Sequence, residues 1–243
     1  MTAPVLTPSV DSSLTMKLLP AVLSLTAGSV DVISFLGLDG LFTAHITGNL
    51  VILASHIVNG RKAPVAAMLS VPVFVAVLGL TRLLVGGLES LGLASLRPLL
   101  LLQLLLLAAL FFLFFAAGSR IDPHATSAVL AGMLGVSAMA IQNALVQVSL
   151  KGAPSTAVMT TNITRFAMDL GEVLLGHDPR DMAEARRRAN HTWPAIVGFA
   201  AGCGLGAATE AAFGLLSLAL PMGFALLAFA MGFAAEPSRE NGP

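Results

Sequence analysis

Three stretches of this chain, 98–119, 123–150 and 211–235, run without a single Asp, Glu, Lys or Arg. Each is longer than the core helix of a soluble domain, and a bilayer's hydrocarbon core takes roughly 20 apolar residues to cross as a helix. Lipid-facing backbone has no water to bond with, so such stretches must be helical. Composition agrees: 56% of residues are hydrophobic and 11% charged, whereas a soluble domain is about a quarter charged. The chain reads as all-α, a polytopic transmembrane helix bundle whose medium is the lipid bilayer. About eight hydrophobic segments can be marked, at 15–38, 41–58, 64–88, 98–117, 125–150, 155–175, 193–212 and 215–233. The second and sixth are open to being broken or re-entrant. Segment 41–58 carries His45, Thr47, Gly48, Asn49 and His56, a polar load that suits backbone lined by protein better than a plain span.

The same composition excludes several functions. The 13 basic and 13 acidic residues cancel, and no basic run is interleaved with aromatics, so nucleic acid is set aside. A lone cysteine, Cys203, in an apolar stretch gives no disulfide framework and no paired-thiol metal site. No cofactor motif occurs, and nothing sets an oligomeric state. Residues 1–14 lack the basic start and small-residue cleavage site of a signal peptide and read as a disordered tail, with a second tail at 236–243.

With all eight segments crossing and the amino terminus in the cytoplasm, Lys17, Arg61, Lys62, Arg120, Arg180, Arg186, Arg187, Arg188 and Arg239 fall inside, and Arg97 and Lys151 outside. That bias follows the positive-inside rule and gives cytoplasmic termini. The connection 177–191, with its Arg cluster, is then a cytoplasmic loop.

The two halves resemble each other. Ala44-His45-Ile46-Thr47-Gly48-Asn49-Leu50 aligns with Ala157-Val158-Met159-Thr160-Thr161-Asn162-Ile163, and Ala27-Gly28-Ser29-Val30-Asp31 falls where Met139-Ala140-Ile141-Gln142-Asn143 falls. Asp31 pairs with Gln142 or Asn143, and a proline-led helix (Pro72, Pro194) follows in each half. The chain divides into a first four-segment repeat at 15–118 and a second at 125–235. Four crossings per copy make the copies parallel, related by an axis along the membrane normal, and this is the expected arrangement; in the alternative the second and sixth segments do not cross, each half has three spans and the copies are inverted.

Ala27 to Asp31, Gly40-Leu41-Phe42, Thr47-Gly48-Asn49 and later Gln142-Asn143-Ala144 before a Thr-rich segment together resemble the YoaK-type family of uncharacterised bacterial integral membrane proteins, over most of 20–235. The resemblance implies this architecture and a bacterial inner membrane, and no substrate. Such proteins carry a second Thr-Gly in the later copy, where this chain has Thr160-Thr161-Asn162.

Ionisable groups inside a membrane cost about 2.5 to 3.5 kcal/mol on insertion scales and are functional candidates by default. Here they are Asp31, Arg82, Arg165, Asp169 and Glu210. Asp31 needs a cation, a proton or an arginine, and Arg82 and Arg165 are available; Arg165 and Asp169, four apart, can also pair along one helix. His45, Asn49, Ile52 and His56 share a helical face, as do Val158, Asn162, Arg165 and Asp169. Asp31, His45, Thr47, Asn49, Gln142, Asn143, Thr160, Asn162 and Arg165 are expected to line one cavity near the midplane and bind substrate. The blander reading of each is glue between helices.

These features point to a transporter or permease for a small polar solute, by analogy of architecture. No Gly-x-x-x-x-Gly-Lys loop supports an ATP-driven pump. A membrane-embedded enzyme is the alternative, though His-Glu-x-x-His and Gly-x-Ser-x-Gly are both absent. A non-transporting assembly or stabilising protein is the third reading, without an extended loop to recruit a partner.

Overall fold

A computed structural model describes residues 14–117 and 125–234, and among them every regular element is helical. In chain order these are α1 (Leu14–Gly37), α2 (Ile46–Val58), α3 (Val65–Ser90), α4 (Leu96–Ala117), α5 (Thr126–Ser149), α6 (Met159–Leu175), α7 (Pro179–Phe213), a 3-10 turn (Gly214–Leu218) and α8 (Ala219–Ala234). Apart from Leu14, the tails expected at 1–14 and 236–243 lie outside the described residues. Among the described residues, five stretches are long and apolar enough to cross a membrane: Lys17–Gly37, Val65–Ser90, Leu96–Ala116, Thr126–Ser149 and Pro179–Phe233. The last holds both α7 and α8 with the turn between them. This is compatible with an integral membrane protein.

Two apolar clusters fix the helix directions. At the end where α1 begins, Leu19 and Leu23 pack with Val85 near the end of α3, Leu99 and Leu100 near the start of α4, Leu145 and Leu150 at the end of α5, and Ala228 of α8. At the far end, Ile33 and Leu38 pack with Ala66 at the start of α3, Phe114 near the end of α4, Ala128 at the start of α5, and Leu218 just before α8. Helices α1 and α4 therefore run one way and α3, α5 and α8 the other. Helix α7 runs with α1, because Gly198, Gly202 and Gly206 lie in turn against Ala21, Leu25 and Ser29.

The α1–α7 contact is a backbone-to-backbone fit. A Cβ on Gly198 would stand 2.6 Å from the Ala21 carbonyl oxygen, and one on Gly202 would collide with that of Leu25. Only glycine lets the helices approach so closely, the usual device where lipid removes the hydrophobic drive to associate.

Helices α2 and α6 differ from the rest. Helix α1 ends and α3 begins at the far end, so the chain between them, α2 included, enters and leaves on one side. Likewise α5 ends and α7 begins at the near end, which returns α6 to the side it came from. Helix α2 has 13 residues, about 20 Å at 1.5 Å per residue, against a hydrocarbon core of about 30 Å. Segments 41–58 and 155–175, open in the sequence between full spans and broken ones, are each a non-helical approach (41–45, 155–158) followed by a short helix. The expected loop 177–191 is corrected. Asp178 caps α7 by accepting the Arg180 N–H at 2.7 Å, Pro179 opens the helix, and one continuous helix of 35 residues absorbs the Arg cluster.

Candidate functional site

A backbone that unwinds inside an apolar bundle must find partners for its N–H and C=O groups. In the first half Asp31, buried on α1, supplies them. Its Oδ1 accepts the N–H of Thr43 and of Ala44, both at 2.7 Å, and its Oδ2 lies 2.7 Å from His45 Nδ1. Two amides and an imidazole offset the cost of burying this carboxylate, which alone would be prohibitive. Asn49 closes the bend: its Nδ2 donates to the Phe42 carbonyl at 2.8 Å and its Oδ1 accepts the Phe42 N–H at 2.9 Å, seven residues back. His45 is the residue before α2, with φ −89° and ψ 61°.

Segment 155–163, which the sequence sets against 42–50, is held by different chemistry. Asn162 Nδ2 donates to the Ser155 carbonyl at 2.6 Å, again seven residues back. Val158 precedes α6 with φ −89° and ψ 81°. Gln142 on α5 donates to Thr156 Oγ1 at 2.8 Å and to the Leu23 carbonyl at 3.0 Å, and accepts from Gln103 at 2.6 Å. A neutral amide thus stands where the first half has a carboxylate, and an apolar Val158 where it has His45. Ser155 Oγ, rather than an acid, accepts the Val158 N–H at 2.9 Å.

The amino ends of α2 and α6 meet at one cavity of about 460 Å³. Ala44 to Thr47 and Ala157 to Thr160 contribute from the half-helices, Phe74, Leu78, Thr81, Arg82 and Val85 from α3, and Asn143, Ala144, Gln147 and Val148 from α5. Of the residues expected at the site, His45, Thr47, Asn143 and Thr160 line this cavity. Asp31 stands behind His45 and orients it. Asn49 and Asn162 are fully buried and hold the two bends, and Gln142 sits in the Gln103–Thr156 network between α4 and α5. Arg165 lies elsewhere, with Asp169, Arg188 and His191 around a second cavity between α6 and α7.

The expected charge pairing changes accordingly. Asp31 takes His45 rather than Arg82 or Arg165. Asp169 takes Arg188 of α7, with N···O at 2.8 Å, rather than Arg165 on its own helix, and Arg188 also reaches Glu184 at 3.4 Å. The polar stripe expected along α2 reaches the cavity only at its amino end; His56 turns back to the Ile52 carbonyl at 2.9 Å.

Sequence reasoning named Arg82 among the ionisable candidates and as an available partner for Asp31, left it out of the expected site, and did not single out Thr81 or Gln147. Arg82 pairs instead with Glu89 at 3.5 Å, both side chains more than half exposed. The available signal for Arg82 was an arginine inside an otherwise apolar run. Among the described residues, no group of His, Cys, Asp and Glu is placed to hold a metal.

A family model whose description is a protein of unknown function (DUF1275) matches residues 19–231. No curated protein and no solved structure matches.

Proposed function

The chain belongs to the DUF1275 family, whose description assigns no function, and from that premise we propose that it is a transporter or permease for a small polar solute. Its binding site is the cavity where the amino ends of α2 and α6 meet. The observation that carries this reading is the convergence of two broken segments on one cavity of about 460 Å³, within the size range of small-molecule sites. Helices interrupted at midplane, with their amino ends turned to a shared cavity, are the usual way a membrane carrier builds a polar site without exposing backbone to lipid.

In this reading the chain is an inverted repeat of two halves, 15–118 and 125–235, each with three crossings and one half-helix. Several correspondences support it. Helix α1 packs on α7 and α8 as α5 packs on α3 and α4, and α2 packs on α3 as α6 packs on α7. Asn49 and Asn162 each bond seven residues back, and Asp31 engages Thr43 as Gln142 engages Thr156. Six crossings leave Lys17, Arg97, Lys151, Arg180, Arg186, Arg187, Arg188 and Arg239 on one side and Arg61, Lys62 and Arg120 on the other. Eight against three keeps both termini in the cytoplasm, and the YoaK-type resemblance supports a bacterial inner membrane.

The test is flux. Proteoliposomes holding the purified chain are offered a mixture of labelled carboxylates, amino acids and amines. At least one solute should enter faster than into empty liposomes, and Thr160→Trp, which fills the cavity, should abolish the difference. Flux that Thr160→Trp leaves intact, or none for any solute, would contradict the proposal.

A further inference from the structure

We infer that the solute taken by this cavity is a small organic monoanion, a carboxylate on a short apolar body, held between the Arg82 guanidinium and His45. The inference rests on reading the cavity as the solute site. Its first support is charge balance: no Asp or Glu lines the cavity, whereas Arg82 and His45 both do. The nearest acid, Asp31, is committed on both oxygens to the bend behind His45, so it offers nothing to a cationic solute. Its counterpart Gln142 is neutral, so the amino end of α6 faces the cavity without an opposing carboxylate, and that end attracts anions.

The remaining lining fits the same ligand. Thr47, Thr160 and Gln147 supply neutral donors, and Phe74 and Leu78 an apolar wall for the body of the molecule. The Arg82–Glu89 contact, at 3.5 Å between two exposed side chains, is the weak kind of ion pair that a better-placed anion displaces. Arginine's planar fork matches a carboxylate in a bidentate fashion.

His45 supplies the second contact and a proton. With Nδ1 against the Asp31 carboxylate, the neutral ring carries its hydrogen there and leaves Nε2 as an acceptor. One added proton turns Nε2 into a donor and balances the solute's charge, so anion and proton bind together. The groups facing His45 are Asp31 from α1 and Arg82 with its Glu89 partner from α3; α7 brings the uncharged Phe199, its ring centroid 5.2 Å from that of His45, and α5 and α6 present the neutral Asn143, Gln147 and Thr160.

The experiment uses the full chain in lipid nanodiscs and three probes of one shape and different charge: benzoate, benzamide and benzylammonium. Calorimetry at fixed ionic strength should find saturable benzoate binding roughly tenfold or more tighter than either other probe, tightening as pH falls from about 8 to about 6. Arg82→Gln should weaken benzoate by roughly tenfold or more, Arg82→Lys should restore part of it, and Arg61→Gln, outside the cavity, should change nothing. Absent benzoate binding, equal binding of benzamide or benzylammonium, or benzoate affinity indifferent to Arg82→Gln overturns the inference. Benzoate that binds in nanodiscs but is not carried into proteoliposomes leaves the anion assignment standing and removes the transport reading. Transport of an amine that ignores Arg82→Gln does the reverse.

Discussion

At the scale of single residues, the two asparagines carry the bends unequally. Asn49 satisfies both backbone groups of Phe42, whereas Asn162 bonds only the Ser155 carbonyl among backbone groups, and its Oδ1 has no partner. Leaving a buried polar group unsatisfied costs about 1 to 3 kcal/mol. Asn49→Ala should therefore lower stability by about 2 kcal/mol or more, and Asn162→Ala by about half as much, read as unfolding midpoints in the same detergent. Equal losses would mean the second bend is held by something other than its asparagine. The sequence exposes both residues, since Asn49 and Asn162 fall at the same place when 44–50 is set against 157–163. Their partners are hidden, because a bond to backbone seven residues upstream exists only once the chain has unwound there. Asp31 is conspicuous for the same reason, as a carboxylate in an apolar run. Its partner His45, fourteen residues on, comes within reach only when the chain doubles back.

At the scale of elements, α7 shows what packing adds to hydropathy. Gly198, Gly202 and Gly206 recur every four residues and so share a face, but nothing local says that this face meets the backbone of α1 rather than lipid. Gly204 has nothing within 4 Å of where its Cβ would stand. Gly202→Ala should destabilise the chain, since its Cβ would collide with the Leu25 carbonyl. Gly204→Ala should be neutral or stabilising by up to about 1 kcal/mol, the helical gain of alanine over glycine. A parallel pair of thermal melts checks both, and similar destabilisation by the two would remove the close approach. The half-helices make the same point about length. An apolar segment of eighteen residues has the composition of a span whether it crosses or turns back, and only the polar density at His45, Gly48 and Asn49 hinted at a break. Even that hint weakens in the second half, where Val158 replaces the histidine.

At the scale of the whole molecule, crossing α2 and α6 or folding them back changes the parity of each half. Parity decides whether the halves are parallel or inverted, and which face every later loop occupies. The basic residues alone do not separate the alternatives, because both arrangements place the Arg186 to Arg188 cluster with the termini. They part at four short connections, those holding Arg61 and Lys62, Arg97, Arg120, and Lys151. Folding back brings Arg61 out beside the far end and keeps Lys151 with the termini; eight crossings would do the opposite. The structure leans to folding back at Gly152, whose carbonyl lies 3.2 Å from His191 Nε2 at the near end of α7. The most direct measurement is cysteine labelling in spheroplasts with a membrane-impermeant maleimide, after Cys203→Ala removes the native thiol. Arg61→Cys should label from outside, and Lys151→Cys and Arg187→Cys only after the membrane is opened. Protection of position 61 together with labelling of position 151 in sealed spheroplasts would contradict the two facing half-helices, and with them the site they enclose.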